Sequence, residues 1–348
     1  MRVRVVSTIA LWVGVLFGGA RPEAHHSFAP HFDSNKRVSI SGTIKEFESR
    51  NPHSYVHITA VDENGRTREY KCESHGVTQL QRNGITPPML KAGTQIRVTG
   101  PISRHDPYMC FFDTVEFPDG RTLSVNGPAQ AGRTTVSLPP RKDIYGSWLL
   151  TRSQDRTGGG PSAMSLLTPA GQRAIDAYDP FRDDPTFRCD PVALRRVWAA
   201  PGTPLEISRS GQNVLLHHEW MDVRRLIAID AKDHPRNGRR TSLGHSIGRF
   251  DGKTLVIETA SYSSGVLEQY VEQSGKPTRG LLHSSALTTV ERLRLDEARQ
   301  RLVLEIADID PEFFQQPLST LTYEYVPSDL KIEPFNCSRE GLTGTLRK

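Results

Sequence analysis

The chain has 348 residues, with 44 Lys and Arg against 39 Asp and Glu and a formal net charge of +5. That length holds two domains with a core each. The charges are interspersed, without a basic run or aromatic-basic interleaving, which excludes the footprint of a nucleic-acid-binding protein. No segment beyond the N-terminus approaches the length of a membrane-crossing helix.

The first elements concern export. Arg2 and Arg4 precede an apolar stretch from Val5 to Phe17, too short to span a bilayer, and small residues follow, the pattern of a secretory signal over residues 1–24. It predicts a periplasmic or secreted protein. Cleavage after Ala20 fits the small-x-small rule through Gly18. Cleavage after Ala24 makes His25 the first residue, whose free amine and imidazole together form a bidentate metal chelate.

Residues 25–126 read as short strands. Val38 to Phe47 alternates apolar and polar residues, the period of a half-buried strand. Ser54 to Val61 and Thr67 to Cys72 do the same on either side of Asn64-Gly65, a hairpin signal. A short helix is expected between Gly76 and Arg82, a strand from Gln95 to Gly100, and a final hairpin at Pro118-Asp119-Gly120-Arg121. Five or so strands with one helix predict an OB-like barrel.

Residues 127–142, rich in Gly, Pro, Ser and Thr, read as a linker. The second domain, 143–348, opens with Gly146-Ser147-Trp148, a Gly-x-Trp that resembles the lipocalin opening, where the Trp plugs one end of a barrel. Leu166 to Tyr178 predicts a helix capped by Thr168 with Pro169 in its first turn. Eight further strands follow: 205–208, 214–219, 224–229, 245–250, 254–259, 284–294, 301–309 and 318–326. The fold class is therefore all-β, an OB-like barrel joined to a lipocalin-like barrel.

Two stretches resemble known families. Ala24-His25-His26-Ser27-Phe28 followed by Asn51-Pro52-His53 resembles a family of bacterial secreted proteins of unknown function over residues 24–126. Residues 143–345 look like a second uncharacterised secreted family through Leu243-Gly244-His245-Ser246-Ile247-Gly248-Arg249-Phe250-Asp251-Gly252. Its members usually carry Trp where Phe250 stands and an acidic residue where Lys253 stands. The resemblances imply export and a β-rich fold, with no established activity.

Cys72, Cys110, Cys189 and Cys337 lack C-x-x-C spacing, and an oxidising compartment makes two disulfides the expectation. Of three connectivities, Cys72 with Cys110 and Cys189 with Cys337 keeps each bridge inside one domain.

Three functions are compatible with these residues. A closed barrel of this size encloses a ligand-sized cavity, so the leading reading is an exported protein that binds a small, largely apolar molecule, with Trp148, Arg224, Ser246, Glu258 and His283 as binding residues. The second is a lyase, isomerase or hydrolase using His245 and Glu291 as acid and base and Arg225 to hold an oxygen. The third is copper binding. His25 at a free terminus with a second imidazole makes a histidine brace suited to copper. His53 is the candidate third ligand, and His26, His31 and His57 are substitutes. His217 and His218 sit on a strand, face opposite ways and do not chelate together.

Overall fold

A computed structural model describes residues 31–125, 138–154, 163–200, 202–235, 238–268, 272–273, 276–277 and 280–339. The expected signal, His25, His26 and linker residues 127–137 lie outside the described residues. The described residues are mostly strand and form two closed β-barrels.

The first barrel contains β1 (Phe32–Glu48), β2 (His53–Val61), β3 (Thr67–His75), helix α1 (Val77–Arg82), β4 (Gln95–Ser103) and β5 (Met109–Phe111). The short β6 (Thr114–Glu116) and β7 (Thr122–Ser124) extend the sheet beyond β4. Closure comes from β1, which pairs with β2 on one side and β4 on the other. A strand of this length serves two neighbours by bending, and its register shifts at Asp33/Arg37 and again at Ile44/Glu46, the positions of bulges. Gly42 lies where a Cβ would stand 2.3 Å from the Thr59 carbonyl oxygen, so only glycine permits that approach. Val56, Ile58 and Ala60 alternate into the core with Ile44 and Val98. β3 and β5 run parallel with Cys72 opposite Cys110, and the disulfide joins that register pair.

The second barrel begins with β8 (Gly146–Gln154). Helices α2 (Pro169–Ala177), α3 (Pro180–Asp183) and α4 (Leu194–Trp198) come next, then β9 (Pro204–Ser210), β10 (Asn213–His218), β11 (Val223–Ile229), β12 (His245–Asp251) and β13 (Thr254–Ala260). Two small hairpins, β14 (Gly265–Glu268) with β17 (Leu281–His283) and β15 (Glu272–Gln273) with β16 (Lys276–Pro277), precede β18 (Thr288–Asp296), β19 (Arg301–Ile309) and β20 (Leu321–Pro327). Nine strands close the ring in chain order, from β8 through β13 to β18, β19, β20 and back to β8. All eight strands expected after the Gly-x-Trp strand are present. One pair departs from a simple meander: β11 and β12 are parallel.

Thr168 caps α2 as its position predicts, its hydroxyl accepting the Gly171 N–H at 3.1 Å with Pro169 in the first turn. Strand alternation fills the barrel. Leu255, Leu293 and Leu304 form one inward row and Ile257, Glu291 and Ile306 the next. Thr259, Thr289 and Asp308 form a third. One end is therefore apolar and the other polar.

After β20 the chain returns to the first barrel as an extended strap. The Leu330 carbonyl accepts from Ser147 Oγ, and the Glu333 N–H donates to Glu219. The Phe335 carbonyl accepts from Asn51 Nδ2 at 2.6 Å, and Cys337 is bonded to Cys189. The cysteine pairing is thus the one that keeps each bridge within a domain.

Candidate functional site

Asn51-Pro52-His53 begins as a junction. The Asn51–Pro52 peptide is cis. Asn51 is buried, donates to Thr78 Oγ1 and the Phe335 carbonyl, and accepts the Ser338 N–H on its own carbonyl. Gly76 makes room for it, since a Cβ there would stand 2.1 Å from Asn51 Oδ1. The asparagine of the motif therefore locks the strap to the first barrel.

His53 starts β2 directly opposite His75 at the end of β3. On these strands Val56, Ile58 and Cys72 point into the barrel, so His53, Tyr55, Glu73 and His75 share the other face. That face is covered: His53 is 2% exposed, His75 1% and Glu73 4%. The Glu73 carboxylate lies 3.9 Å from His53 Nδ1. His75 packs edge-on against Phe111 at 5.4 Å, and Phe111 against Phe32 at 5.8 Å. Of the substitute ligands, His57 shares the His53 face but is held between Glu48 (2.6 Å) and Glu69 (3.2 Å). His31 lies beside Phe32, its ring 6.1 Å from Phe187 of the second domain. His75, which only strand register reveals, is the partner that sequence reasoning missed.

In the second barrel, Arg225 and Glu291 meet across the interior. Arg225 Nη1 and Nη2 bind the two carboxylate oxygens at 2.9 and 2.7 Å, and Nη2 also reaches Ser246 and Thr259. Trp198 of α4 donates its indole N–H to the same carboxylate. Burial opposes the Arg225 charge, but the Glu291 carboxylate outweighs it and raises the guanidinium above its ordinary range. Beside them Arg195, also from α4, binds Asp308 and Glu268, and Tyr262 reaches Asp308 through Thr289. α4 thus caps the polar end by inserting an Arg and a Trp. Nothing in its five residues has the periodicity that marks such a role in a sequence.

His245 does not join Arg225 and Glu291. Its neighbour Ser246 points inward to Arg225, so His245 points outward, where its Nδ1 stands 2.9 Å from His234 Nδ1. Glu258 is also outside, half exposed and 3.6 Å from His234 Nε2. Arg224 is exposed and pairs with Asp222. Trp148 is fully buried and donates to the Ile144 carbonyl. His283 is buried against Tyr262 with Nδ1 on the Ser284 carbonyl, and burial holds its imidazole below the ordinary range. The expected ligand set is therefore divided between the barrel's inside and outside. His217 and His218 do face opposite ways. His217 pairs with Asp222 on the surface, and His218 packs against Trp198 at 4.7 Å inside.

Residues 14–107 match a family of unknown function (DUF6152), a span that includes both the A-H-H-S-F and N-P-H motifs and runs through β4. No curated protein matches the chain. Among the described residues, no helix is long and apolar enough to cross a membrane.

Proposed function

We propose that this is an exported copper-binding protein whose metal site lies in the first barrel. The observation that carries the reading is the buried pair of imidazoles, His53 and His75, opposed across β2 and β3. Two disulfides fit an oxidising compartment, and the charged, then apolar, N-terminus fits export.

Among the described residues, no three His, Cys, Asp or Glu side chains form a metal group. His53 and His75 supply two nitrogens, and His25 at a cleaved terminus supplies an amine and an imidazole. His25 lies six residues before His31, a span of up to about 20 Å when extended. Phe32 packs on Phe111, which in turn packs on His75, so the first described residues share a side of the barrel with the pair. Nitrogen donors of this kind favour Cu(II) at the top of the divalent series. Glu73 places a carboxylate 3.9 Å from His53 Nδ1, beside the pair.

The test is intact-mass and Cu(II)-binding analysis of protein purified from its export route. The expected result is a chain beginning at His25 that retains one copper, with affinity at least tenfold weaker in His53→Gln and in His75→Gln. A chain beginning at Arg21, or variants that bind as the wild type does, overturns the reading.

A further inference from the structure

A parallel strand pair needs a crossover, and between β11 and β12 it is residues 230–244. The seam between these strands is the shortest in the second barrel. It has two register pairs, Ala228 with Ile247 and Ile229 with Gly248, continued by the Asp230 N–H on the Gly248 carbonyl at 2.8 Å. The next shortest, β8 with β9, registers from Gly146 to Leu149, and β12 registers with β13 along its whole length, His245 to Asp251. Inside the barrel Arg225 Nη2 bridges the seam to Ser246 Oγ at 3.0 Å, and Ile227 fills the space that a Cβ on Gly248 would take. Outside it, His234 of the crossover meets His245 at the start of β12, Nδ1 to Nδ1 at 2.9 Å with the ring planes at 83°.

We infer that the His234–His245 pair is an acid-sensitive latch on this seam, holding the start of the crossover on β12 while one ring is neutral and releasing it when both are protonated. One Nδ1–H donates to the other Nδ1, so the contact requires a neutral acceptor ring. A single added proton is tolerated, because an imidazolium donates at least as well as a neutral imidazole. A second proton leaves two N–H groups pointing at each other and two like charges at hydrogen-bond distance. The surroundings answer one positive charge and not two. Glu258 on β13 faces His234 Nε2 at 3.6 Å. Lys232 and Asp233 flank His234 and are exposed, and Arg249 lies further along the outer face of β12. β11 presents Leu226 and Ala228, and Arg292 of β18 stands opposite Val256, one pleat from Glu258. Burial, and then His234, hold the His245 imidazole below its ordinary range, so the latch weakens as pH falls through the unfolded value of about 6.5 toward the folded one. The later part of the crossover has other anchors, since Arg240 donates to the Tyr262 and Ser285 carbonyls and the Thr241 N–H to the Ser261 carbonyl. Opening is therefore confined to the residues next to the seam.

This latch does not rest on the first-barrel reading. Its test is amide hydrogen exchange of the full chain at about pH 7.5 and about pH 5, with rates corrected for the intrinsic effect of pH. His234→Gln and His245→Gln are measured beside the wild type, and far-UV circular dichroism checks the fold of each. In the wild type the corrected exchange of residues 228–234 is expected to be faster at the lower pH by about tenfold or more, while β18 and β19 stay protected. Either glutamine variant is expected to lose that difference, because glutamine takes up no proton in this range. If His245→Gln does not fold, His234→Gln in the crossover carries the test. Equal protection of residues 228–234 at both pH values, a loss shared equally by β18 and β19, or an unchanged pH response in the folded variants overturns the assignment.

Discussion

Arg82 of the first barrel and Glu219 of the second form a two-point ion pair, with the guanidinium nitrogens 2.5 and 2.6 Å from the two carboxylate oxygens. Glu219 is fully buried and also accepts the Glu333 N–H from the strap. One carboxylate thus holds α1 and the strap together.

Removing one partner of such a pair leaves the other charged and buried, at a cost of about 3–5 kcal/mol. Arg82→Ala is therefore expected to lower the unfolding free energy by about 3 kcal/mol, because the arginine keeps some solvent contact. Replacing both residues, as Arg82→Leu with Glu219→Gln, is expected to recover part of the loss. Urea unfolding of Arg82→Leu, Glu219→Gln and the double variant checks this, and a loss in the double variant equal to the sum of the two single losses would show that the pair is not coupled.

Arg225 and Glu291 call for a different comparison. Both are buried and bonded to each other, and the same carboxylate receives the Trp198 indole. Arg225→Met alone is expected to destabilise by about 3–5 kcal/mol, and Arg225→Met with Glu291→Gln by less than half of that. Because Trp198 loses its charged acceptor in the double variant, its fluorescence is expected to shift, which reports whether α4 still caps the barrel.

His218 provides a pH signature. Burial, and then the nearby Arg225, hold its imidazole well below the ordinary value of 6.5. The unfolded chain takes up a proton near that value and the folded chain does not. Stability is therefore unaffected above about pH 7.5 and falls as pH drops through the unfolded value toward the folded one, by up to about 1.4 kcal/mol per pH unit. His283, lowered by burial, acts in the same direction. His218→Leu is expected to show a shallower loss between pH 7 and 5 than the wild type in urea midpoints. Parallel curves for the two proteins would contradict the assignment of that slope to His218.

Much of the architecture was legible in local pattern. Alternation around Asn64-Gly65 marked a hairpin, Thr168-Pro169 marked a helix start, and the cysteines pair as expected. β5 was not legible, because Met109–Phe111 is too short to display a period. The sites failed for a related reason. Period two places Ser246 and Arg225 inside and so sends His245 outside, yet residue chemistry alone grouped His245 with Arg225. His75 becomes a partner of His53 only through the register of β2 and β3. His234 meets His245 only because the crossover folds back. Each of these contacts is tertiary, and no window of sequence contains both partners in a recognisable spacing.

Asn51 finds its acceptor on Phe335, 284 residues further along the chain. A ribosome or a translocation channel delivers the first barrel long before that acceptor emerges. Docking of the two barrels therefore waits for nearly the whole polypeptide, whatever the order in which each barrel condenses. Until then Asn51 keeps Thr78 as a partner but lacks the strap. A chain shortened before Phe335 would lose the Asn51 acceptor and the Cys189 partner in a single step.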